Sequence, residues 1–517
     1  MKERMRAEKK VQVRNSVGRL VFAGLSILLQ IVWVCILFAR LNEFSPAISL
    51  ISGFVAFAVA LKIYGSHTNA AFKLPWIILL LAFPVLGLCI YVLFGHKEMM
   101  KKTQRSFARV DALLFPYIPQ NQQIMEELEA EDFAVANQCR YIMQYGKYPV
   151  YRNTDVVFFA EASEGFEEQL LELEKAEKFI FMEYHAIEEA EAFSRLKEVL
   201  ARKAGEGVEV RLLYDDVGSI GFIDKSFIKR MEEVGVLCVD FNPVVPILNL
   251  FMNNRDHRKL TIIDGKVGFT GGYNLADEYF NITHPYGYWK DTGVKLTGDA
   301  VRSFTIMFLE MWNALKHVDM NFEKYLPQNS FHAAESGYVQ PYADSPLDDE
   351  YMGENVYLNL IQHAKHRLYI ATPYLIISDE MNRELGLAAK RGVDVRVITP
   401  GIPDKKLIYK ITCSYYAGLV KSGVRVYKYT PGFLHEKQVI CDDTCATVGT
   451  INFDYRSLYH HFENGVFLYK CHAIADIAKD FERTLEVSTE VTEQYRSGRS
   501  AVLRGTQSLL RLFAPLL

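Results

Sequence analysis

The sequence predicts an α/β protein in which two duplicated βα lobes share one active site, preceded by an all-α transmembrane region. Three observations carry this. From about residue 151 onward, short β-branched runs alternate with amphipathic stretches. One polar string, His-x-Lys-x4-Asp, occurs twice, at matching places in the two stretches. Three uncharged apolar runs crowd the first hundred residues.

In chain order, residues 1–19 form a basic tail with seven Lys or Arg and two Glu. Residues 20–39 carry no charge, and at about 1.5 Å per residue such a run covers the roughly 30 Å hydrocarbon layer. Residues 44–61 and 74–95 are the second and third runs, so 20–95 reads as a transmembrane region and the expected location is the cell membrane, multi-pass. The first run is longer than a signal-peptide core, and no small-residue cleavage site follows it. The basic tail argues for a cytoplasmic N-terminus, and Lys97, Lys101, Lys102, Arg105 and Arg109 argue the same for the far end. Both hold only if an even number of runs cross. The 44–61 run, with Ser45, Pro46, Ser49, Ser52 and Gly53, has a composition open to a re-entrant path.

Residues 96–150 read as a polar connector whose acidic patch, Glu126, Glu127, Glu129, Glu131 and Asp132, suits a solvated helix face. Lobe 1 is expected over 151–330 and lobe 2 over 331–500, joined near Leu326–Glu350, where Pro327, Gly337, Pro341 and Pro346 cluster. Lobe 1 offers strand runs at Phe179–Tyr184, Val208–Leu213 and Gly235–Val239; lobe 2 offers Leu368–Tyr374, Val393–Ile398 and Gly423–Tyr427. The period is about 175–180 residues, far above that of a solenoid, so two lobes share a site across a pseudo-two-fold axis. Residues 501–517, with Val502-Leu503-Arg504, Leu509-Leu510-Arg511-Leu512-Phe513 and Pro515-Leu516-Leu517, read as either an interfacial amphipathic segment or a helix docked on the lobes.

Composition excludes several classes. The 517 residues suggest about three units. Lys and Arg number 58 against 62 Asp and Glu, net −4, which is not the balance of a nucleic-acid binder, so no nucleic-acid partner is expected. Half the residues are hydrophobic, which excludes disorder. The eight cysteines form no CxxC pair, which argues against a zinc ribbon or a disulfide scaffold.

The chemistry lies in the repeated string. The first copy is His257-Arg-Lys259 through Asp264, then Gly271 and Asn274; the second is His435-Glu-Lys437 through Asp442, then Gly449 and Asn452. On a strand, period two puts His and Lys on one face, and the intervening Leu260–Ile263 and Gln438–Cys441 read as buried strand. Gly271 and Gly449 allow close backbone approach, and the Asn amides can bind an oxyanion. Two His, two Lys and two Asn in one pocket suit a phosphoryl group. One neutral imidazole attacks phosphorus and the other moves the proton of the leaving and incoming hydroxyls. Lys259, Lys437, Asn274 and Asn452 stabilise charge on the non-bridging oxygens. No metal or other cofactor is expected: the lysines repel a cation, and no third-His or Cys ligand spacing accompanies the pair. No Walker-type loop is present in the sequence, which suits an exchange of one phosphodiester for another.

This sequence resembles the phospholipase D superfamily, whose signature is the duplicated HKD motif, and more closely the bacterial cardiolipin synthases of that type. The likeness rests on Asp256–Asn274, Tyr288-Trp-Lys-Asp-Thr292, Trp312-Asn313, Pro373-Tyr374, Gly432–Lys437 and Val448–Ser457, and runs from about residue 74 to the C-terminus. The run at 20–39 is additional to the usual pair of spans, and Glu436 and Cys441 are less usual at their positions. The resemblance implies two phospholipase D-like lobes and a ping-pong transfer. His257 would be the nucleophile and His435 the general acid and then base, while Asp264 and Asp442 complete the motifs and hold the site together. By the same analogy Asp291 and Glu463 orient the two imidazoles. The implied substrates are phosphatidylglycerol and other membrane lipids. A hydrolase, or a transferase using another alcohol, is the alternative, followed by a nuclease and then a non-catalytic scaffold.

Overall fold

The computed structural model describes residues 46–95, 101–244, 253–316, 319–327, 331–334 and 336–496, with scattered positions at 18–36 and 510–514. About half of the 20–39 run, nearly all of the basic tail and most of the 501–517 segment lie outside the described residues. The chain divides into two units: residues 1–102 with 243–253 and 500–517, and residues 103–242 with 254–499.

In the first unit the described elements are all α-helices, as expected, while the expected spans find no support. The 44–61 run folds as a helix over Pro46–Tyr64. The 74–95 run, expected as one span, is two helices, Ala70–Ala82 and Pro84–Phe94. Pro84 causes the break. It has no N–H to donate, and it pushes Phe83 out of helical geometry to φ −136°, ψ 71°. The chain then turns back so tightly that a Cβ on Gly87 would lie 2.8 Å from the Leu79 carbonyl oxygen. Helices of 13 and 11 residues reach about 20 and 17 Å, short of the hydrocarbon layer. Among the described residues no helix is long and apolar enough to cross a membrane, so multi-pass topology finds no support. Ala56, Ala60, Ile63 and Leu80 form a small core, and Trp76 meets Tyr91 edge to face at 5.3 Å. Leu50, Ile51, Phe54, Phe57, Leu61, Ile78 and Leu81 remain exposed.

The connector is helical, with residues 101–146 folding as short helices, and its acidic patch lies on the helix Gln122–Glu131 with Glu126, Glu129 and Glu131 exposed. Phe107, Val110, Leu114, Met125, Leu128 and Cys139 are buried, and Gln340 of lobe 2 donates to the Cys139 and Tyr148 carbonyls. The acidic patch is largely paired: Glu127 with Arg152, Glu129 with Arg140, and Glu131 with Lys470, while Asp132 caps the helix Phe133–Tyr141.

The strands of lobe 1 are β1 (Thr154–Phe159), β2 (Phe179–Tyr184), β3 (Glu209–Asp215), β4 (Leu237–Phe241), β5 (Arg255–Asp256), β6 (Lys259–Ile263), β7 (Val267–Gly271), β8 (Tyr288–Lys290) and β9 (Gly293–Gly298). Those of lobe 2 are β10 (Tyr338–Asp344), β11 (Arg367–Ala371), β12 (Leu375–Ile376), β13 (Asp394–Pro400), β14 (Arg425–Tyr429), β15 (Gly432–Leu434), β16 (Gln438–Cys441), β17 (Cys445–Gly449), β18 (Phe453–Asp454), β19 (His461–Tyr469) and β20 (Ser488–Glu490). The main sheet of lobe 1 runs β1-β9-β7-β6-β2-β3-β4, and that of lobe 2 runs β10-β19-β17-β16-β11-β13-β14-β20. Seven strands follow the same order in both, with β20 added at the edge of lobe 2, so the sequence repeat is a structural one. β2, β6 and β16 are buried along their whole length, as strands covered on both faces must be.

The lobes are stitched by a reciprocal exchange. β5, which precedes the first motif, pairs in parallel with the start of β19 in lobe 2. β15, which precedes the second motif, pairs in parallel with β8 in lobe 1. Each motif therefore begins in the other lobe's hydrogen bonding and then enters its own sheet.

Candidate active site

That exchange corrects one local expectation. His-x-Lys does not lie within a strand. His257 and Arg258 fill the gap between β5 and β6, and His435 through Lys437 fill the gap between β15 and β16. At each gap the His backbone N–H donates to the other lobe, His257 to the Phe462 carbonyl at 2.9 Å and His435 to the Lys290 carbonyl at 2.7 Å. The next residue in each partner strand is a carboxylate. His257 Nδ1 sits 2.9 Å from Glu463, and His435 Nδ1 sits 2.7 Å from Asp291. The proposed orienting pairs thus meet across the lobe interface, and both carboxylates are fully buried. With Nδ1 donating to a carboxylate, each ring keeps its Nε2 for chemistry.

Lys259 Nζ donates to the His257 carbonyl at 2.6 Å, and Lys437 Nζ likewise donates to the His435 carbonyl. Burial pulls Lys259 down to about 7, opposed by Glu463 and assisted by Lys437. Burial pulls Lys437 down to about 8, against the pull of Asp291 and Glu463. An anion bound beside them would favour both ammonium charges.

The motif aspartates stand apart from this chemistry. Asp264 accepts from the backbone N–H groups of Glu177, Lys178 and Phe179, each at 2.8 Å. Asp442 does the same for Lys365, His366 and Arg367 at 2.7, 2.7 and 2.9 Å. Each residue closes the β6–β7 or β16–β17 hairpin at positive φ, 53° and 51°, and ties it to the start of β2 or β11.

The glycines make room for backbone. A Cβ on Gly271 would lie 2.5 Å from the Thr292 carbonyl oxygen, and one on Gly449 would lie 2.3 Å from that of Asn464. The next position differs between the lobes. A Cβ on Gly272 would fall 2.0 Å from Asp291 Oδ1, whereas the equivalent Thr450 uses its hydroxyl to hold Glu463. The asparagines also differ. Asn274 spends its amide on the Tyr279 hydroxyl at 2.7 Å and its oxygen on the Ala186 N–H, while the Asn452 oxygen has no hydrogen-bond partner.

Two histidines that no motif marked join the first half-site. His185 and His461 lie with ring centroids 4.8 and 5.3 Å from that of His257. One donor atom each from His257, His461 and Glu463 falls within 4.8 Å of the others, so the third histidine that the sequence spacing failed to show is present in space. The second half-site is aromatic instead: Tyr279, Trp289 and Phe433 stand 5.4, 5.3 and 5.7 Å from the ring of His435. Burial drives His257 well below the ordinary histidine value, and Lys259, His185, His461 and Lys437 all push the same way. Burial and Lys437 lower His435 to about 3, but there Asp291 pulls upward by charge and hydrogen bond.

Comparison with known proteins agrees with this constellation. Residues 357–485 match the family described as cardiolipin synthase, PLD-like domain, and residues 54–96 match phospholipase D-nuclease N-terminal. The chain is 41% identical over 461 residues to an uncharacterized protein of Streptococcus mutans, covering 88% of this chain and 99% of that one. It is 34% identical over 463 residues to cardiolipin synthase 2 of Bacillus cereus, covering 89% and 90%. It is 32% identical over 462 residues to the cardiolipin synthase of Alkalihalophilus pseudofirmus, covering 89% and 92%. Among solved structures, phosphatidylserine synthase of Haemophilus influenzae shares the fold, with a TM-score of 0.53, 17% identity, and coverage of 73% of this chain and 97% of that one. The chain belongs to the phospholipase D-like cardiolipin synthase family, a family of phosphatidyltransferases.

Proposed function

We propose that this chain is a cardiolipin synthase seated on a membrane. It moves a phosphatidyl group from one phosphatidylglycerol to the primary hydroxyl of a second, releasing glycerol, through an adduct on His257. The observation that carries the reading is the unequal charge setting of the two histidines. Burial, Lys259, His185, His461 and Lys437 all disfavour protonation of His257, which suits a neutral nucleophile. Asp291 supports a proton on His435, which suits an acid and base.

The steps balance without a cofactor. His257 Nε2 attacks phosphorus as its Nδ1–H leans on Glu463, and the bond from phosphorus to the glycerol oxygen breaks. His435, protonated as the phosphodiester anion enters, gives its Nε2 proton to that oxygen. The second phosphatidylglycerol then gives its hydroxyl proton to His435, attacks phosphorus and releases His257. Lys259 and Lys437 neutralise the non-bridging oxygens. Asp264 and Asp442 keep the strands in place. Asn274 spends its amide N–H on the Tyr279 hydroxyl, so Asn452 is the better donor to a phosphoryl oxygen. One phosphodiester is made for each one broken, so no nucleotide is consumed.

The membrane reading rests on the first unit. The helices Pro46–Tyr64 and Ala70–Ala82 turn Leu50, Phe54, Phe57, Ile78 and Leu81 outward, an apolar surface suited to lipid. Short helices meeting at Phe83-Pro84 suit a hairpin set into the bilayer.

The test is lipid product by mass spectrometry, with purified protein in phosphatidylglycerol vesicles. Cardiolipin and glycerol are expected in equal amounts, and neither from His257→Ala or His435→Ala. Phosphatidic acid without cardiolipin would make the chain a hydrolase.

A further inference from the structure

The residues between the motif His and Lys differ in the two lobes, Arg258 in the first and Glu436 in the second. Both side chains are buried. Each is tied to the residue that precedes the orienting carboxylate of the other lobe. The Arg258 guanidinium lies over the Phe462 ring at 5.6 Å. Glu436 reaches Lys290 through Gln438 and Asp480. One crossing is closed by a cation on a ring and the other by a polar network around the Lys290–Asp480 ion pair.

The ionic crossing is a closed, buried network. Lys290 Nζ is 2.6 Å from Asp480 Oδ1, and Lys290 belongs to lobe 1 while Asp480 belongs to lobe 2. The Gln438 amide donates to Glu436 Oε2 at 2.9 Å and to Asp480 Oδ2 at 3.1 Å. Lys290, Glu436, Gln438 and Asp480 are each no more than 4% exposed. Glu161 also lies 3.8 Å from the Lys290 ammonium. Burial pushes Glu436 far above the usual carboxylate range against the pull of Lys290, and Asp480 adds to the rise, which favours the neutral acid at Glu436.

We propose that Lys290 and Glu436 are positioning residues for the proton transfers of His435. This rests on the transfer mechanism above. Both flank the dyad directly: Lys290 precedes Asp291 and accepts the His435 N–H on its carbonyl, and Glu436 follows His435. The network clamps both backbones from below and so sets where His435 Nε2 meets the leaving oxygen. A shift of about 1 Å there costs on the order of 100-fold. His257 is anchored by the other crossing and keeps its place.

Leaving-group dependence separates this role from a merely structural one. Glycerol needs a proton from His435 to depart; p-nitrophenolate does not. The full-length chain is given phosphatidylglycerol or the p-nitrophenyl ester of phosphatidic acid, and the size of the p-nitrophenol burst counts competent sites. Glu436→Ala and Lys290→Met are expected to lower turnover of phosphatidylglycerol on the order of 100-fold. Their burst rate per competent site should stay within about threefold of the parent. Glu436→Gln, which keeps the shape and a donor toward Asp480, should recover most of the turnover. Equal losses in burst rate and turnover would overturn the assignment, as would full turnover in both variants or a Gln variant as poor as the Ala one. A parent chain that makes cardiolipin without any burst would refute the adduct mechanism, and this assignment with it. A parent that bursts but makes no cardiolipin would refute only the acceptor in the proposed function; the burst comparison would still decide the roles of Lys290 and Glu436.

Discussion

The two half-sites carry one motif in unlike surroundings. His257 stands among His185, His461 and Lys259, with a Thr450-held Glu463 behind it. His435 stands among Tyr279, Trp289 and Phe433, with Asp291 packed against Gly272. Duplication supplies the symmetry of backbone and hydrogen bonds; the divergent neighbours assign the labour. On the proposed mechanism, a buried ring crowded by Lys259, His185 and His461 stays neutral and nucleophilic. A ring beside a carboxylate that favours its proton can take and return one.

The sharpest way to break this comparison is to neutralise each carboxylate in turn. Asp291→Asn should lower turnover of phosphatidylglycerol about 10³-fold, because His435 loses both tautomer control and the charge that supports its proton. Glu463→Gln should cost only about tenfold, because burial already pushes the Glu463 carboxyl up and a neutral amide of the same shape disturbs it less. Equal losses, read from initial rates on vesicles, would abolish the distinction. The next contrast is steric. Gly272→Ala should cost about 10²-fold, since its Cβ would displace Asp291. Thr450→Ala removes one hydroxyl from Glu463 and should cost a few-fold.

The lysines give a pH dependence common to both halves. Their values in the free enzyme are about 7 for Lys259 and about 8 for Lys437. Below that range both are ammonium ions and attract the phosphodiester; above it they are neutral. The ratio kcat/KM, which reports the free enzyme, should therefore fall as pH rises through 7 to 8 and beyond. A flat profile from pH 6 to 9 would contradict it.

The smallest effect on chemistry is expected at the motif aspartates. Asp264→Ala should destabilise by about 3 kcal/mol, and Asp442→Ala by about 2 kcal/mol because more of its donors reach water. Urea unfolding of the detergent-solubilised chain measures both. Activity per folded molecule should stay within a few-fold.

Much of this was legible in the sequence, and the gaps follow from what periodicity can read. The strand runs at Phe179–Tyr184 and Val393–Ile398 fall on β2 and β13 within two residues. Both motifs, both lobes and the orienting Asp291 and Glu463 were visible because duplication puts the same signal in two places. His185 and His461 sit alone in their segments, and they reach His257 only through folding. Lys290, Glu436 and Asp480 likewise meet across as many as 190 positions of sequence. In the N-terminal region, uncharged length alone suggested a single span over 74–95, although Pro84 stood in its middle to end a helix. The connector looked polar because its buried residues are spaced on one face of each short helix.

The central claim is that His257, and not His435, bears the phosphatidyl group. The direct measurement is peptide mass mapping of the His435→Ala chain quenched during reaction with the p-nitrophenyl ester of phosphatidic acid, whose leaving group needs no acid. The account predicts one phosphatidyl adduct per chain on the peptide holding His257, and none in His257→Ala. An adduct on the peptide holding His435 in the parent chain, or a full p-nitrophenol burst from His257→Ala, would contradict it.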